Sequence, residues 1–207
     1  MNVAIFGGTF DPVHRGHLAV ARAAQRAYKL GRIYFVPADL PPHKQRLPIT
    51  PFHHRYAMLA LALQGEKSFI PSLIESREDV LSSGKPRPNY TIDTVRRFRK
   101  LLPKGDRLFF LIGIDAFVDL PTWYKPDELA KEVEFIVVSR PGFAPPAIEQ
   151  KRVRWLSGVV EPVSSTRLRA ALASGRATKG LLDEPVVEYI RKEHLYGTRF
   201  TRLRNSR

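Results

Sequence analysis

His14 and His17 stand three residues apart at the end of a short loop, Gly7 to His17, that also carries Gly8, Thr9, Phe10, Asp11 and Gly16. Across a helix start, that spacing lets both imidazoles face one ligand, where each can donate a hydrogen bond to an anionic oxygen. Gly7 and Gly8 allow the backbone to approach the same anion. A helix beginning near Gly16 aims its unpaired N–H groups and the positive end of its dipole there. An anion site is physically favoured there. The alternative, a glycine turn with two surface histidines, leaves unexplained why Thr9, Asp11, His14 and His17 share one short loop. Two other phosphate signatures are absent: there is no GxxxxGK followed by Ser or Thr, and the glycines do not extend to GxGxxG. A zinc site is a poor fit, because HxxH lacks the i, i+4 spacing and the Glu of a metalloprotease helix and no third ligand is evident, so no protein metal site is assigned.

The elements that must position this loop follow from hydrophobic periodicity. Val3 to Phe6 is a short apolar run ending in the glycines, as expected of a buried parallel strand, and Leu18, Ala21, Ala24 and Tyr28 then recur at helical spacing. Ile33 to Val36 repeats the strand pattern and stops at Pro37, after which Pro41, Pro42 and Pro48 keep the connection irregular. Thr50 reads as the N-cap of a second helix with Pro51 at its first position and Phe52, Tyr56, Leu59 and Leu63 on one face. Phe69 to Glu75 reads as a third strand and Ser82 to Pro88 as a surface loop. Thr91 caps a helix carrying Ile92, Val95, Phe98 and Leu102, closed by Pro103 and Gly105. Leu108 to Ile112 and Phe135 to Val138 are apolar throughout and read as strands buried on both faces. Helices begin again near Ser164 and at Asp183 or Glu184.

Strands alternating with helices predict an α/β fold, a parallel sheet with right-handed crossovers that binds its ligands beyond the carboxyl ends of the strands. The chemistry-bearing residues fall there. Gly7 and Gly8 follow the first strand, Gly113 and Asp115 a central one, and Arg140 the last clear one.

With 207 residues, 43% of them hydrophobic, the chain can bury a substantial core, and one domain over 1–196 is expected with a flexible basic tail over 197–207. No apolar run approaches the roughly 20 residues that span a bilayer and no secretory signal is readable, so a cytoplasmic protein without membrane association is expected. With no Cys, disulfides, thiolate metal sites and cysteine nucleophiles are excluded. A net charge of +14 favours anionic partners but cannot choose among nucleic acid, acidic membrane and polyphosphate ligands.

Gly7 to His17 resembles the GGTFDPxHxGH signature of the adenylyltransferase branch of the nucleotidyltransferase superfamily. The similarity continues through Pro41-Pro42-His43-Lys44, Asn89-Tyr90-Thr91-Ile92-Asp93-Thr94, Gly113-Ile114-Asp115 with Trp123, Arg140-Pro141-Gly142 and Val163-Ser164-Ser165-Thr166-Arg167-Leu168-Arg169. In that order, from residue 2 to about 196, these motifs resemble nicotinate-nucleotide adenylyltransferases. The resemblance implies a Rossmann-like, doubly wound sheet of the nucleotidyltransferase type. It also implies a reaction of ATP with nicotinate mononucleotide giving deamido-NAD and pyrophosphate, with Mg²⁺ held mainly by the ATP phosphates. Sister enzymes using nicotinamide mononucleotide or phosphopantetheine are the alternative, and the latter carry Thr where His14 stands. A basic nucleic-acid-binding module is an alternative of a different class, without a recognisable reading motif here. Homo-oligomerisation is left open.

By that resemblance His14, His17 and Lys44 are catalytic, stabilising charge on the transferred α-phosphate and the departing pyrophosphate. Gly7, Gly8, Thr9, Phe10, Gly16, Arg140, Ser164, Ser165, Thr166 and Arg169 bind ATP. Ser164 has a plainer reading as an N-cap before a basic helix. Tyr90, Thr91, Asp115 and Trp123 bind the nicotinate nucleotide, with backbone N–H groups near its carboxylate and Trp123 against its ring. Trp123 could equally be a partly buried core aromatic, and Asp115 could orient a hydroxyl or cap the following helix. Asn89, at a position that is often Ser, and Arg15, adding charge beside the histidines, depart from the pattern.

Overall fold

The computed structural model describes residues 1–39, 49–76, 88–139, 152–159 and 163–198. Six strands form one sheet: β1 (Asn2–Gly8), β2 (Arg32–Pro37), β3 (Phe69–Pro71), β4 (Arg107–Gly113), β5 (Glu134–Val138) and β6 (Val153–Leu156), in the order β3-β2-β1-β4-β5-β6. Each neighbouring pair is parallel. The order reverses between β1 and β4, which are paired through Asn2–Phe6 and Arg107–Leu111. A parallel sheet opens a ligand crevice at such a switch point, outside the carboxyl ends of its strands.

Both faces are covered, and the alternation along the strands shows how. Val3 and Ile5 of β1 join Leu108, Phe110 and Ile112 of β4 in one core cluster, against Ile92, Val95 and Phe98 of α3 (Thr91–Leu101) and Leu129 of α5 (Pro126–Glu132). Ala4 and Phe6 join Phe109 and Leu111 in the other cluster. This second core is covered by α1 (Arg15–Tyr28), α2 (Phe52–Ala62), α6 (Ser165–Ala173) and α7 (Glu184–Lys192). Strands buried on both sides have no polar face, which is why the β1, β4 and β5 segments read as continuous apolar runs. A short helix, α4 (Ile114–Val118), leaves β4 directly, and single 3₁₀ turns lie at Leu120–Thr122 and Leu195–Gly197.

The structure moves several sequence-based boundaries. The third strand stops at Pro71 rather than Glu75: Ser72 N–H still donates to Phe35 C=O at 2.9 Å, but a turn closed by Ser76 N–H on Leu73 C=O then folds Ile74 and Glu75 inward. Pro51, not Thr50, holds the N-cap position of α2, because the Thr50 backbone is committed elsewhere. Its N–H reaches Asp11 Oδ2 at 3.3 Å and its C=O accepts from Arg55 Nε at 2.7 Å. Thr91 is the first helical residue of α3 and Tyr90 its cap. Gly7 and Gly8 lie inside β1, paired with Val36 and Pro37, rather than after it. Strand β6 was not expected. It is an edge strand whose Arg154 carries a salt bridge to Glu134 at 3.3 Å while Leu156 is buried, so it lacks the apolar run that marks the central strands.

No helix among the described residues is long and apolar enough to cross a membrane. Ile136, at the middle of β5, is fully buried and packs in the helical layer shared with Leu156 and Leu168. Ile136→Ala is expected to lower unfolding free energy by about 3 kcal/mol in urea titration, and Ile136→Val by about 1 kcal/mol.

Candidate active site

The loop between β1 and α1 puts His14 at the N-cap of α1, with extended backbone at φ −149° and ψ 169°. One turn on, His17 Nδ1 accepts the backbone N–H of His14 at 3.2 Å. This bond fixes Nδ1 as the acceptor nitrogen and leaves Nε2–H as the donor. The two rings stack with centroids 3.7 Å apart and an interplanar angle of 25°, and the Phe10 ring meets His17 edge-on at 4.9 Å. Both imidazoles therefore belong to one patch, as their spacing predicted.

Burial holds this pair uncharged. His14 is only 8% exposed, and desolvation lowers its pKa to about 4 against a smaller opposing effect of its own backbone hydrogen bond. Burial pushes the His17 imidazole well below its ordinary range, and the neighbouring His14 pushes it further. His14 Nδ1 is buried without a hydrogen-bond partner among the described residues. The closeness depends on Gly16, since a Cβ there would lie 2.8 Å from Val163 Cγ1 and 3.0 Å from His14 Nδ1.

The neighbouring turns clamp the loop. Arg55 of α2, 1% exposed, donates from Nη1 to Thr9 C=O at 2.8 Å as well as to Thr50. Ser165 Oγ donates to Pro12 C=O at 3.0 Å and Arg169 Nη1 to Asp11 C=O at 2.6 Å, which seats the start of α6 against the start of α1. Ser164 caps α6 by accepting Arg167 N–H at 3.3 Å, the plainer of its two readings, and Thr166 is exposed on the same first turn. Arg15 does not add a bare charge beside the histidines, because its guanidinium pairs with Asp183 at 3.0 Å. Lys44, with Pro41, Pro42 and His43, lies outside the described residues, as do Arg140 to Gly142 and the tail over 199–207.

Beside the loop opens a cavity of about 660 Å³, a volume suited to a small organic ligand. Gly7, Gly8 and Thr9 line it together with Tyr90, Thr91 and Thr94 from the start of α3 and with Trp123 and Tyr124. A Cβ on Gly7 would meet Phe110 Cζ at 3.2 Å, and one on Gly8 would meet Phe10 Cζ at 3.1 Å, so the glycines also make room for the two phenylalanines. Trp123 is half-buried: it sets its ring edge-to-face on Phe110 at 6.3 Å, as a partly buried core aromatic would, and it also lines the cavity. Asp115 sits exposed on the first turn of α4, whose cap is Gly113, so it neither caps that helix nor joins the cavity lining.

Sequence reasoning missed Glu75, which lines the cavity, 8% exposed, and accepts Thr94 Oγ1–H at 2.6 Å. Burial raises its pKa to about 7 despite the Thr94 bond and the nearby Arg97. It was hidden as the last residue of an overlong strand. Arg55 was missed too, although an arginine in register with buried Met58 and Leu59 was a readable anomaly.

Strand order, switch-point cavity and helix-start histidines thus combine a Rossmann-like parallel sheet with a candidate phosphate site at its switch point. Residues 5–171 match the cytidylyltransferase-like family. Over 196 residues the chain is 41% identical to a probable nicotinate-nucleotide adenylyltransferase of Solibacter usitatus, covering 95% of this chain and all of that one. It is 40% identical to the nicotinate-nucleotide adenylyltransferase of Bacillus subtilis, covering 94% and 97% of the two chains. Among solved structures, the Plasmodium falciparum nicotinic acid mononucleotide adenylyltransferase complexed with NaAD shares the fold at a TM-score of 0.76 and 21% identity, covering 96% and 98%. The chain thus belongs to the nicotinate-nucleotide adenylyltransferase family.

Holding His14 neutral has a thermodynamic signature. A folded-state pKa of about 4 against an ordinary 6.5 means the unfolded chain binds more protons between those values, so stability rises with pH across that window and is lost as pH falls through it. His14→Gln should remove this term: the stability of wild type minus variant is expected to drop by up to about 3 kcal/mol from pH 7 to pH 4. A difference independent of pH in denaturant titrations would show the imidazole to be freely protonated in the fold.

Proposed function

We propose that this chain transfers the adenylyl group of ATP to nicotinate mononucleotide, giving deamido-NAD and pyrophosphate. The observation that carries this reading is the adjacency of a helix-start histidine pair, fit for phosphates, and a cavity with Trp123 and Tyr90 on its wall, fit for a planar ring. A phosphate oxygen of the mononucleotide attacks the α-phosphorus of ATP, the bond to the β-phosphate oxygen breaks, and pyrophosphate leaves. Such transfers need positioning and cationic donors more than a protein nucleophile. His14 and His17 donate to the phosphates and take up positive charge there, because an anion offsets the desolvation that keeps them neutral in its absence. Gly7, Gly8, Thr9, Phe10 and Gly16 shape the ATP side. Ser164, Ser165, Thr166 and Arg169 serve it from the start of α6, where Ser165 and Arg169 also hold the loop. Lys44 and Arg140 keep the roles that the resemblance implies.

On the other side, Tyr90 and Thr91 at the start of α3 and Trp123 receive the nicotinate ring and carboxylate, and Asp115 keeps the role that the resemblance implies. Backbone donors satisfy a carboxylate, whereas an amide would turn its own N–H groups toward them. Mg²⁺ fits as an ion carried by the ATP phosphates: both carboxylate oxygens of Asp11, the acid nearest the histidines in sequence, are engaged by Tyr196 and Thr50, leaving hydroxyls and imidazoles in the loop. When bound, it would neutralise charge on the phosphates. One working unit over 1–196 is part of this reading, supported by core clusters whose members run from Val3 to Ile190. So is a cytoplasmic location. Several arginines that raise the net charge carry acidic partners, among them Arg22, Arg96 and Arg107, which does not favour a nucleic-acid surface.

Pyrophosphate release with ATP and either nicotinate mononucleotide or its amide tests the proposal. The nicotinate form is expected to have kcat/KM about 100-fold higher, and His17→Ala to lower kcat by about 100-fold or more with the fold retained. Equal use of the two mononucleotides would remove the specificity assignment, and full activity of His17→Ala the mechanism.

A further inference from the structure

Tyr196 comes almost at the end of the described chain, yet its hydroxyl donates to Asp11 Oδ1 at 2.6 Å, across 185 positions. Asp11 is 4% exposed, and its carboxylate is shared: Oδ2 accepts Thr50 N–H at 3.3 Å, from the turn that leads into α2. Arg169 binds the Asp11 carbonyl and Arg55 the Thr9 carbonyl, so two guanidinium groups flank the same turn.

The backbone on both sides of this hydrogen bond is held in the left-handed region. Phe10, next to Asp11, has φ 49°, and Tyr196 has φ 59° with ψ 26°. Neither is glycine. A side chain makes that conformation unfavourable, and it persists where the surroundings over-determine it, which happens disproportionately at functional sites. The turn bearing Tyr196 is pinned by Thr198, whose hydroxyl donates to Leu195 C=O at 3.0 Å, and the phenol oxygen lies 3.9 Å from Met58 Sδ. Tyr196 packs against the same core cluster as Phe10. On the far side of Phe10 is the histidine pair, with the Phe10 ring 4.9 Å from that of His17. One path of contacts therefore runs from Tyr196 through Asp11 and Phe10 to the His17 imidazole.

We infer that Tyr196 is a positioning residue for adenylyl transfer: its hydrogen bond to Asp11 fixes the Thr9–Phe10–Asp11 turn against which His17 is set, making the C-terminal turn part of the ATP site. The inference rests on the adenylyl-transfer reading above. Among the described residues, Tyr196 is not part of the cavity lining, and its hydroxyl bonds Asp11 and lies near Met58 rather than bonding His14 or His17. Its effect passes through the geometry of the loop, so it should act on ATP and leave the mononucleotide alone.

Tyr196→Phe, made in the full chain, deletes only the hydroxyl. With nicotinate mononucleotide saturating, kcat/KM for ATP is expected to fall about tenfold, the loss of one hydrogen bond to a charged group. KM for the mononucleotide should stay within about twofold. Asp11→Asn attacks the bond from its other end, and Tyr196→Phe added to it should cost less than twofold more, because partners in one interaction are not additive. Unchanged kcat/KM for ATP in Tyr196→Phe, with only a lower Tm, would overturn the inference and leave the tyrosine a purely structural prop. A second readout needs no turnover: the ring NMR signals of His17 in the unliganded protein should shift in Tyr196→Phe, and superimposable signals would also overturn it. A wild-type chain inactive with ATP strikes the adenylyl-transfer reading instead, and the ring signals then decide the role of Tyr196 alone.

Discussion

Everything in the site depends on keeping two imidazoles together and uncharged at the start of a helix. Stacked at 3.7 Å and buried, His14 and His17 could carry positive charge only at the cost of desolvation and mutual repulsion. A polyphosphate changes that balance, because it supplies negative charge where the helix dipole already favours it. On the proposed reading, the cationic character of the site develops with the ligand. In an unliganded enzyme, permanently charged groups at the same place would attract phosphate less selectively.

The fold supplies the rigidity for this arrangement. β1 is the central strand at which the sheet order reverses, so the loop that follows it opens at the switch point beside β4. Side chains from α2, α6 and the final 3₁₀ turn then fasten the loop at Thr9, Asp11 and Pro12. These are mostly hydrogen bonds to backbone carbonyls, which hold conformation without placing an extra charge on the ligand side. Arg55 gives Nε and Nη1 and Arg169 one Nη1 donor in this way. Glu75 brings a different property to the cavity: its carboxyl titrates near neutrality through burial, so the cavity wall changes charge in the physiological range.

Much of this was legible in the sequence where a local rule and the tertiary environment agree. Central strands buried on two faces show as apolar runs, and α1 and α3 show as periodic apolar stripes, the second closed by Pro103 and Gly105. The HxGH loop was legible because glycine, histidine and helix-start signals coincide within eleven residues. Legibility failed where long-range contacts set the outcome. The start of α2 shifts to Phe52 because the Thr50 backbone is drawn to Asp11 and Arg55. Edge strand β6 is only four residues long, with Arg154 interrupting its apolar residues, and carries no strong pattern. Ser164, Ser165 and Arg169, read as phosphate ligands, also bond within the chain, a use that spacing alone cannot reveal. Tyr196 meets Asp11 only once the whole sheet is assembled.

Calorimetric titration of a non-hydrolysable ATP analogue at pH 7, repeated in buffers of different ionisation enthalpy, tests the histidine pair most directly. If the buried imidazoles become protonated when the polyphosphate binds, binding takes up protons, up to two per active site, and the uptake disappears in His14→Gln with His17→Gln. Tight binding with a heat independent of buffer would contradict the assignment, showing that the histidines meet the phosphates without changing charge.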